Sequence, residues 1–305
     1  MQHSERAARS RGIGAITAAA VLWGTVGVTT QTIYGLASTN ALSIGFWRLA
    51  LAAPVLLAFG WRRLGRGMWR IARRDLAWMA LIGAMLGLYQ VCFFAAISQI
   101  GVAVATLVTL CTAPVFVAAI SIPALGERLS GAKLLALAGA LAGTALLVEL
   151  GPAAGRNSAA GILLALGSGA GYATMTIAGR KLADRCHPLQ TTAVSFSSGA
   201  LMLLACAAPA GFVAAYPLGG WLLLVYLGVV PSALAYALFL SGMRETSATA
   251  ASLLTLLEPL TATVLAWALF GEQLGPRSLL GGICLLGALA LLYRSERAAP
   301  SSSAV

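Results

Sequence analysis

The sequence predicts an all-α membrane protein with ten transmembrane helices, arranged as two inverted five-helix repeats. Three observations support this fold class: the composition, the spacing of apolar stretches and an internal repeat. Of the 305 residues, 59% are hydrophobic and only 10% are Asp, Glu, Lys or Arg. A soluble domain carries about 25% charged residues, and disorder requires low hydrophobicity. The composition therefore excludes a soluble globule and a disordered chain.

Charged and turn residues divide the chain into ten apolar stretches. They lie at residues 12–34, 41–60, 76–97, 102–122, 131–148, 159–182, 188–208, 219–241, 247–270 and 277–293. A membrane-spanning helix needs about 20 apolar residues. A transmembrane barrel would instead show alternating segments of about 10 residues, and these stretches do not alternate. The pattern predicts ten helical spans.

The first stretch is expected to remain in the protein as a span. It follows Arg6, Arg9 and Arg11, and its apolar run exceeds the core of about 7–15 residues that a cleaved signal peptide has. With the N-terminus inside, 17 of the 20 Lys and Arg residues fall in segments on the cytoplasmic side. This bias predicts a multi-pass protein of the bacterial inner membrane with both termini in the cytoplasm. The basic loop from Trp61 to Asp75 is expected to lie against anionic lipid headgroups, so nucleic acid is not an expected partner.

The two halves of the chain repeat each other. A shift of 145 residues superposes Ala103, Ala105, Pro114, Gly126, Glu127 and Leu129 on Ala248, Ala250, Pro259, Gly271, Glu272 and Leu274. This predicts a first repeat over 1–148, a linker over 149–158, a second repeat over 159–293 and a cytoplasmic tail over 294–305. Because five spans are an odd number, the second repeat enters the membrane from the opposite side. Inverted repeats are characteristic of transporters with alternating access to a midplane site.

These motifs resemble those of the EamA family of the drug/metabolite transporter superfamily. The resemblance rests on Leu107–Leu129 with Pro114 and Gly126-Glu127, on Leu253–Leu274 with Glu258-Pro259 and Gly271-Glu272, and on Leu22-Trp23-Gly24 and Trp47-Arg48-Leu49. The second copy carries Gly171-Tyr172 and Phe196-Ser197 near the places of the two tryptophan motifs. The resemblance implies ten helices, cytoplasmic termini and transport of small solutes. The implied type is an amino-acid or metabolite exporter, with aromatic-amino-acid exporters as one form.

Two charged residues, Arg48 and Glu258, lie within predicted spans. Ionisable groups are costly there and usually face a cavity or a partner. In a functional interpretation, Arg48 binds a substrate carboxylate, and Glu258 binds a substrate amine or carries a proton. The alternatives are a structural pair between the two residues, or bonds from each to neighbouring helices.

Polar and aromatic residues within spans are candidates for a substrate cavity. The resemblance implies that spans one, three, four, six, eight and nine line it. The candidates are Trp23, Tyr89, Gln90, Phe93, Phe94, Thr109, Thr112, Tyr172, Ser232, Tyr236, Thr255 and Glu258. Such a lining would suit a zwitterion with an aromatic or other apolar side chain. The alternative is ordinary packing, since Ser and Thr often bond across helix interfaces.

Pro114 and Pro259 occupy equivalent positions in the two repeats. Each removes a helix hydrogen bond, so each is either a hinge for gating or a static bend. Glu127 and Glu272, at span ends, are expected to fix the loop or to bond the N-terminal amides of the next helix.

No metal site, cofactor or catalytic group is expected. The two histidines, His3 and His187, are far apart and have no acidic cluster at metal spacing. The expected partners are the lipid bilayer and a small-molecule substrate, an amino acid or metabolite, for a monomer or homodimer. The sequence predicts a secondary exporter whose five-helix halves rock around a midplane cavity. A multidrug or other-metabolite carrier, and an intramembrane lipid-modifying enzyme, remain as alternatives.

Overall fold

A computed structural model describes residues 2–100, 102–127, 129–147, 158–270 and 275–298. The regular structure in these ranges is entirely helical. The helices are α1 (Gln2–Leu36), α2 (Ala41–Leu64), α3 (Arg73–Ile100), α4 (Val102–Leu125), α5 (Gly131–Leu147), α6 (Ser158–Ala183), α7 (Pro188–Ala207), α8 (Leu218–Gly242), α9a (Ala248–Leu254), α9b (Leu257–Phe270) and α10 (Pro276–Ala298). A short 3₁₀ helix, Gly65–Trp69, follows α2.

The all-α, ten-helix prediction is confirmed. Within the described ranges, eight helices are long and apolar enough to cross a membrane, and α5 and α10 contribute shorter apolar stretches, Gly131–Leu146 and Leu279–Ser295. Some predicted features lie outside the described residues. They are residues 149–157 of the linker, the residue Glu272, and the tail beyond residue 298.

Helix starts follow local capping chemistry. The His187 side chain accepts a hydrogen bond from the amide of Leu189, the Gln190 side chain bonds back to the amide of His187, and Pro188 occupies the first helical position of α7. Proline is suited to that position because its missing N–H is not needed there. Asn40 caps α2 in the same manner, accepting from the amide of Ser43 at 2.9 Å.

Helix packing follows the two-fold relation between the repeats. α5 packs on α10, and α2 packs on α7, so these equivalent helices pair with each other. α1 packs against α8 and α9b, while its counterpart α6 packs against α3 and α4. Because α3 and α4 are the counterparts of α8 and α9, these packings of α1 and α6 are equivalent to each other.

Glycine permits the close approach of these helices. At Gly143 of α5, a Cβ atom would lie 2.7 Å from the amide nitrogen of Leu285 in α10. At Gly83 of α3, it would overlap Ser195 and Ser198 of α7. Small residues at membrane helix crossings allow such backbone contact.

The two main apolar cores each combine helices from both repeats. One core joins α1, α5, α8, α9 and α10 around Ile16, Phe239 and Met243. The other joins α2, α3, α6 and α7 around Leu182 and Phe196. The boundary between the two cores therefore does not coincide with the boundary between the sequence repeats.

Two of the predicted spans are interrupted. α8 contains a π-helical turn, Val229–Leu234, and the ninth span is broken between α9a and α9b at Thr255 and Leu256. Pro259 has no N–H for the Thr255 carbonyl, and its ring would crowd that carbonyl in a continuous helix. It is accommodated in the first turn of α9b instead. Its counterpart Pro114 lies within the unbroken α4, so the two equivalent prolines sit in different local structures.

The two ends of the bundle differ in charge. We call the end that carries residues 62–74, 180–185 and 244 the basic end, and the end that carries residues 37–40 and 208–217 the opposite end.

Candidate functional site

A cavity of about 720 Å³ lies among α1, α2, α3, α4, α6, α8 and α9b. Ten of the residues singled out in the sequence line it: Trp23, Arg48, Tyr89, Gln90, Phe93, Phe94, Thr109, Tyr172, Tyr236 and Glu258. Both repeats contribute to the wall. The cavity is therefore not confined to one half of the chain.

Three further candidates, Thr112, Ser232 and Thr255, are not in the cavity wall. Thr112 donates to the Val108 carbonyl of its own helix at 2.7 Å. Thr255 accepts a hydrogen bond from the Tyr172 hydroxyl at 3.1 Å and donates to its own helix. Ser232 lies behind Arg48, as described below. These side chains support residues of the wall.

One face of α1 forms a part of the wall that the sequence prediction missed. Its members, beyond Trp23, are Val26, Gly27, Thr30, Gln31 and Tyr34. They recur every three or four residues from Trp23, which places them on one helix face. That spacing is a signal that could have found them. The start of α2, through Ala41, Ile44 and Gly45, was missed for lack of any polar signal.

The two intramembrane charges share this cavity. The Arg48 guanidinium donates from Nε to the Ser232 hydroxyl at 3.3 Å, its one protein hydrogen bond among the described residues. The Glu258 carboxylate has no hydrogen-bond or ion-pair partner in the described part of the chain. Arg48 and Glu258 form no ion pair with each other, so a structural pair between them is not what the structure contains. Both charged groups are available to a bound solute.

The helix break places Glu258 at the start of α9b. It lies in the first turn of that helix, and its own amide donates to the Thr255 carbonyl at 2.9 Å. Broken helices whose half-helix ends face a midplane site are characteristic of transporters. The break thus places an acid at the start of a half-helix that borders the cavity.

Aromatic rings form much of the remaining wall. Tyr89 and Phe93 are nearly parallel, at 10° and 6.2 Å between ring centroids, and Tyr172 meets Tyr89 at 6.1 Å. On the other side, the Trp23 and Tyr236 centroids are 4.8 Å apart. Tyr89 and Phe93, four residues apart, share one face of α3. A wall of this kind favours a ligand with an aromatic or aliphatic body.

The cavity extends toward the opposite end of the bundle. Its wall includes Tyr34 near the end of α1, Ala41 at the start of α2, and Ile97 near the end of α3. Toward the basic end it reaches no further than Trp23 in α1 and Leu86 in α3. The basic end is therefore the closed side.

A single carboxylate closes part of the basic end. Glu127, just after α4, accepts hydrogen bonds from the amide of Ala248 at 2.6 Å, and from the amide and hydroxyl of Thr249 at 3.3 and 2.8 Å. From the sequence, Glu127 is expected to fix the loop or to bond the amides of the next helix, α5. It caps α9a instead, because α4 and α9a lie side by side. A glutamate of the first repeat thus binds the N-terminal end of α9a, in the second repeat, at the basic end.

Arg244 provides a second connection at the same end. Its Nε donates to the Ala183 carbonyl at 2.7 Å, and an Nη donates to the Cys186 carbonyl at 3.0 Å. Those carbonyls end α6 and lead into α7, so Arg244 ties the α8–α9a turn to the α6–α7 turn. These contacts join helices of the two apolar cores.

Metal ligation finds no support in the described ranges, which contain no group of three or more His, Cys, Asp or Glu side chains that could hold an ion.

Comparisons with known proteins agree with this geometry. The model of the EamA-like transporter family matches residues 10–149 and 159–294. The chain is 32% identical over 280 residues to the uncharacterized transporter YwfM of Bacillus subtilis, covering 90% of each protein. It is 28% identical over 294 residues to a probable terminal-alkyne amino-acid exporter of Streptantibioticus cattleyicolor, covering 93% of this chain and 94% of that one. One crystal structure superposes with a TM-score of 0.78 at 22% identity, covering 95% of this chain and 99% of that chain.

Proposed function

The chain belongs to the EamA-like transporter family and is a multi-pass membrane transporter, and from this premise we propose that it exports amino acids with aromatic or other apolar side chains. One observation carries the proposal: Arg48 and Glu258 line the same aromatic cavity without pairing with each other. A buried charge without a partner is costly. A solute that brings one charge of each sign removes both costs at once.

The zwitterion of an amino acid meets this requirement. Its carboxylate pairs with the Arg48 guanidinium, which favours planar oxyanions, and its ammonium group pairs with Glu258. Tyr89, Phe93 and Tyr236 receive the side chain. Hydrogen bonds to charged groups contribute about 1.5–3 kcal/mol each, so both ends add to affinity.

Comparison with relatives supports the substrate class. The relative from Streptantibioticus cattleyicolor is named a probable terminal-alkyne amino-acid exporter, and the relative from Bacillus subtilis is named an uncharacterized transporter. Those names favour a transport role without catalysis for this chain.

Export follows from orientation and alternating access. The positive-inside bias places the basic end in the cytoplasm of a bacterial cell, so the cavity of this structure opens to the outside. The cavity is exposed to the cytoplasm when the contacts of Glu127 and Arg244 break. Because the cores mix helices of both repeats, the moving bodies are the two cores and not the two sequence halves.

A second candidate is a carrier of larger amphipathic metabolites. A volume of about 720 Å³ falls within the range of about 300–1,000 Å³ of sites for drug-sized ligands, and a single amino acid leaves part of it to water.

Counterflow in proteoliposomes tests the proposal. Vesicles loaded with unlabelled phenylalanine should accumulate labelled phenylalanine or leucine, and Glu258→Gln vesicles should accumulate much less. If an imposed pH gradient accelerates wild-type flux, transport is coupled to protons. If the flux is unaltered, the solute gradient alone drives transport. Absence of counterflow for every standard amino acid, with a folded protein, would contradict the proposal.

A further inference from the structure

The π-helical turn of α8 lies beside the charged part of the cavity. It covers Val229–Leu234 and contains Pro231, which cannot donate the helix hydrogen bond to the carbonyl four residues before it. π-turns within α-helices are rare and occur frequently at functional sites. Ser232, the residue after the proline, is completely buried.

The Ser232 hydroxyl is used differently from that of a nearby serine in the same helix. Ser241, also in α8, donates to the Ala237 carbonyl of its own helix at 2.6 Å, which is the usual arrangement for a helical serine. Among the described hydrogen bonds, Ser232 has one partner, the Nε of Arg48 at 3.3 Å. The widened turn thus directs a hydroxyl out of α8 and toward α2.

The spacing between α8 and α2 is fixed at this point. Gly228 precedes the π-turn, and a Cβ atom there would lie 3.2 Å from the Arg48 carbonyl oxygen and 2.8 Å from the Leu51 Cβ. The backbones therefore meet directly at Arg48. The position of Ser232 relative to the guanidinium follows from this contact.

The hydrogen bond determines which edge of the guanidinium faces a ligand. Arginine has five N–H donors in a rigid fork, and Ser232 occupies the Nε donor. The two Nη groups remain, and they form the end-on pair that binds a carboxylate in bidentate fashion.

We propose that Ser232 is a positioning residue that orients Arg48 for end-on binding of a carboxylate, and thereby makes the carboxylate the group that the transporter selects. The proposal rests on the proposed function, because it assigns Arg48 to the substrate carboxylate. Without the hydroxyl, the guanidinium rotates between Nε-edge and end-on contacts, and a carboxylate gains less from it. A neutral carboxamide at the same place is affected little.

Binding of two matched ligands to purified protein tests this assignment. Phenylalanine carries the carboxylate, and phenylalaninamide replaces it with a neutral group of nearly the same shape. In Ser232→Ala, the Kd for phenylalanine should rise about 3- to 10-fold, the effect of one hydrogen bond, while the Kd for phenylalaninamide should stay within a factor of two of the wild type. Ser232→Thr, which keeps the hydroxyl, should restore the wild-type ratio, and Ser241→Ala in the same helix should leave it unchanged.

The outcomes separate this inference from the function itself. Equal weakening of both ligands in Ser232→Ala would mean that Ser232 only supports the fold, and an unchanged ratio would mean that it does not orient Arg48. Either result overturns the inference while the amino-acid site stands. If the wild type itself does not prefer phenylalanine to phenylalaninamide, the proposed function and the inference both fail. Should Ser232→Thr lower the melting temperature, Ser232→Gly provides a second variant without the hydroxyl, with the same expectation as Ser232→Ala.

Discussion

Glu127 connects the two repeats at the basic end through one carboxylate. Its hydrogen bonds to Ala248 and Thr249 join α4 to α9a in this structure, where that end is closed, and under the proposed alternating access they break when it opens. Charged hydrogen bonds contribute about 1.5–3 kcal/mol. Glu127→Ala should therefore shift the equilibrium between the outward-open and the cytoplasm-open state about 10- to 100-fold toward the cytoplasm-open state. The shift is measured as slower modification of Thr30→Cys by an impermeant thiol reagent from outside, in a background without the native cysteines. Glu245→Ala, an exposed control at the same end, should change nothing, and an unaltered rate in Glu127→Ala would contradict the gate role.

Single residues of the site differ in how well sequence could identify them. Arg48 and Glu258 could be predicted because a charge within an apolar stretch is costly and therefore conspicuous. Thr30 and Gln31 near the end of α1 carry no such cost, and only their spacing from Trp23 along one helix face indicates them. The contact of Arg48 with Ser232 joins residues 184 positions apart, and nothing local in either segment indicates it.

At the scale of elements, the α5–α10 crossing depends on Gly143. A Cβ atom there would meet backbone atoms of Gly281 and Leu285 at 2.7–3.0 Å, which cannot move as a flexible side chain can. Gly143→Ala should therefore destabilise the protein by about 1–3 kcal/mol, measured as a lower melting temperature in detergent. Gly287→Ala, in α10 with open space around its Cβ position, is the matched control and should be neutral. Equal stability of the two variants would show that the crossing is looser than the structure indicates.

Pro259 maintains the break between α9a and α9b. Pro259→Ala supplies the N–H that a continuous helix directs to the Thr255 carbonyl, which here accepts from the Glu258 amide at 2.9 Å instead. We therefore expect the ninth span to become more continuous and more stable, with slower transport because the break stiffens. Counterflow rate and melting temperature should move in opposite directions. Pro123→Ala, near the exposed end of α4, is the control. An undiminished transport rate in a stabilised Pro259→Ala would leave the break as a static bend.

Spans are easier to predict than their interruptions. Hydropathy located all ten helices, because the lipid requirement acts on every residue of a span. At the break in α9, the Leu253 and Thr255 carbonyls accept from the Leu256 and Glu258 amides, and such local turn bonds leave the hydropathy of the span unchanged. Pro231 and Pro259 marked the places, but Pro114 shows that the same residue also occurs in a continuous helix.

For the whole molecule, the repeat predicted inversion but not the mixing of helices between cores. The 145-residue shift relates equivalent residues and says nothing about which helix packs on which. The exchange of α1 and α6 between cores follows from helix packing alone. The units that we propose to move are therefore defined by packing and not by the order of the sequence.

The sidedness of the molecule is testable with two cysteines. Thr30→Cys in the cavity wall should react with an impermeant thiol reagent from outside the cell, and bound phenylalanine should slow the reaction. Glu245→Cys, exposed at the basic end, should react only from the cytoplasmic side. Reaction of Thr30→Cys from the cytoplasmic side alone would reverse the proposed orientation.

The central claim is that one cavity binds the two charges of an amino acid through two separate residues. The most direct test measures Kd values of phenylalanine, phenylalaninamide and 3-phenylpropionate for the wild type, Glu258→Gln and Arg48→Gln. We predict a crossed pattern: Glu258→Gln weakens the two amine-bearing ligands about 10- to 100-fold and spares 3-phenylpropionate, whereas Arg48→Gln weakens the two carboxylates and spares phenylalaninamide. Equal loss of all three ligands in either variant, or no loss in both, would contradict the claim.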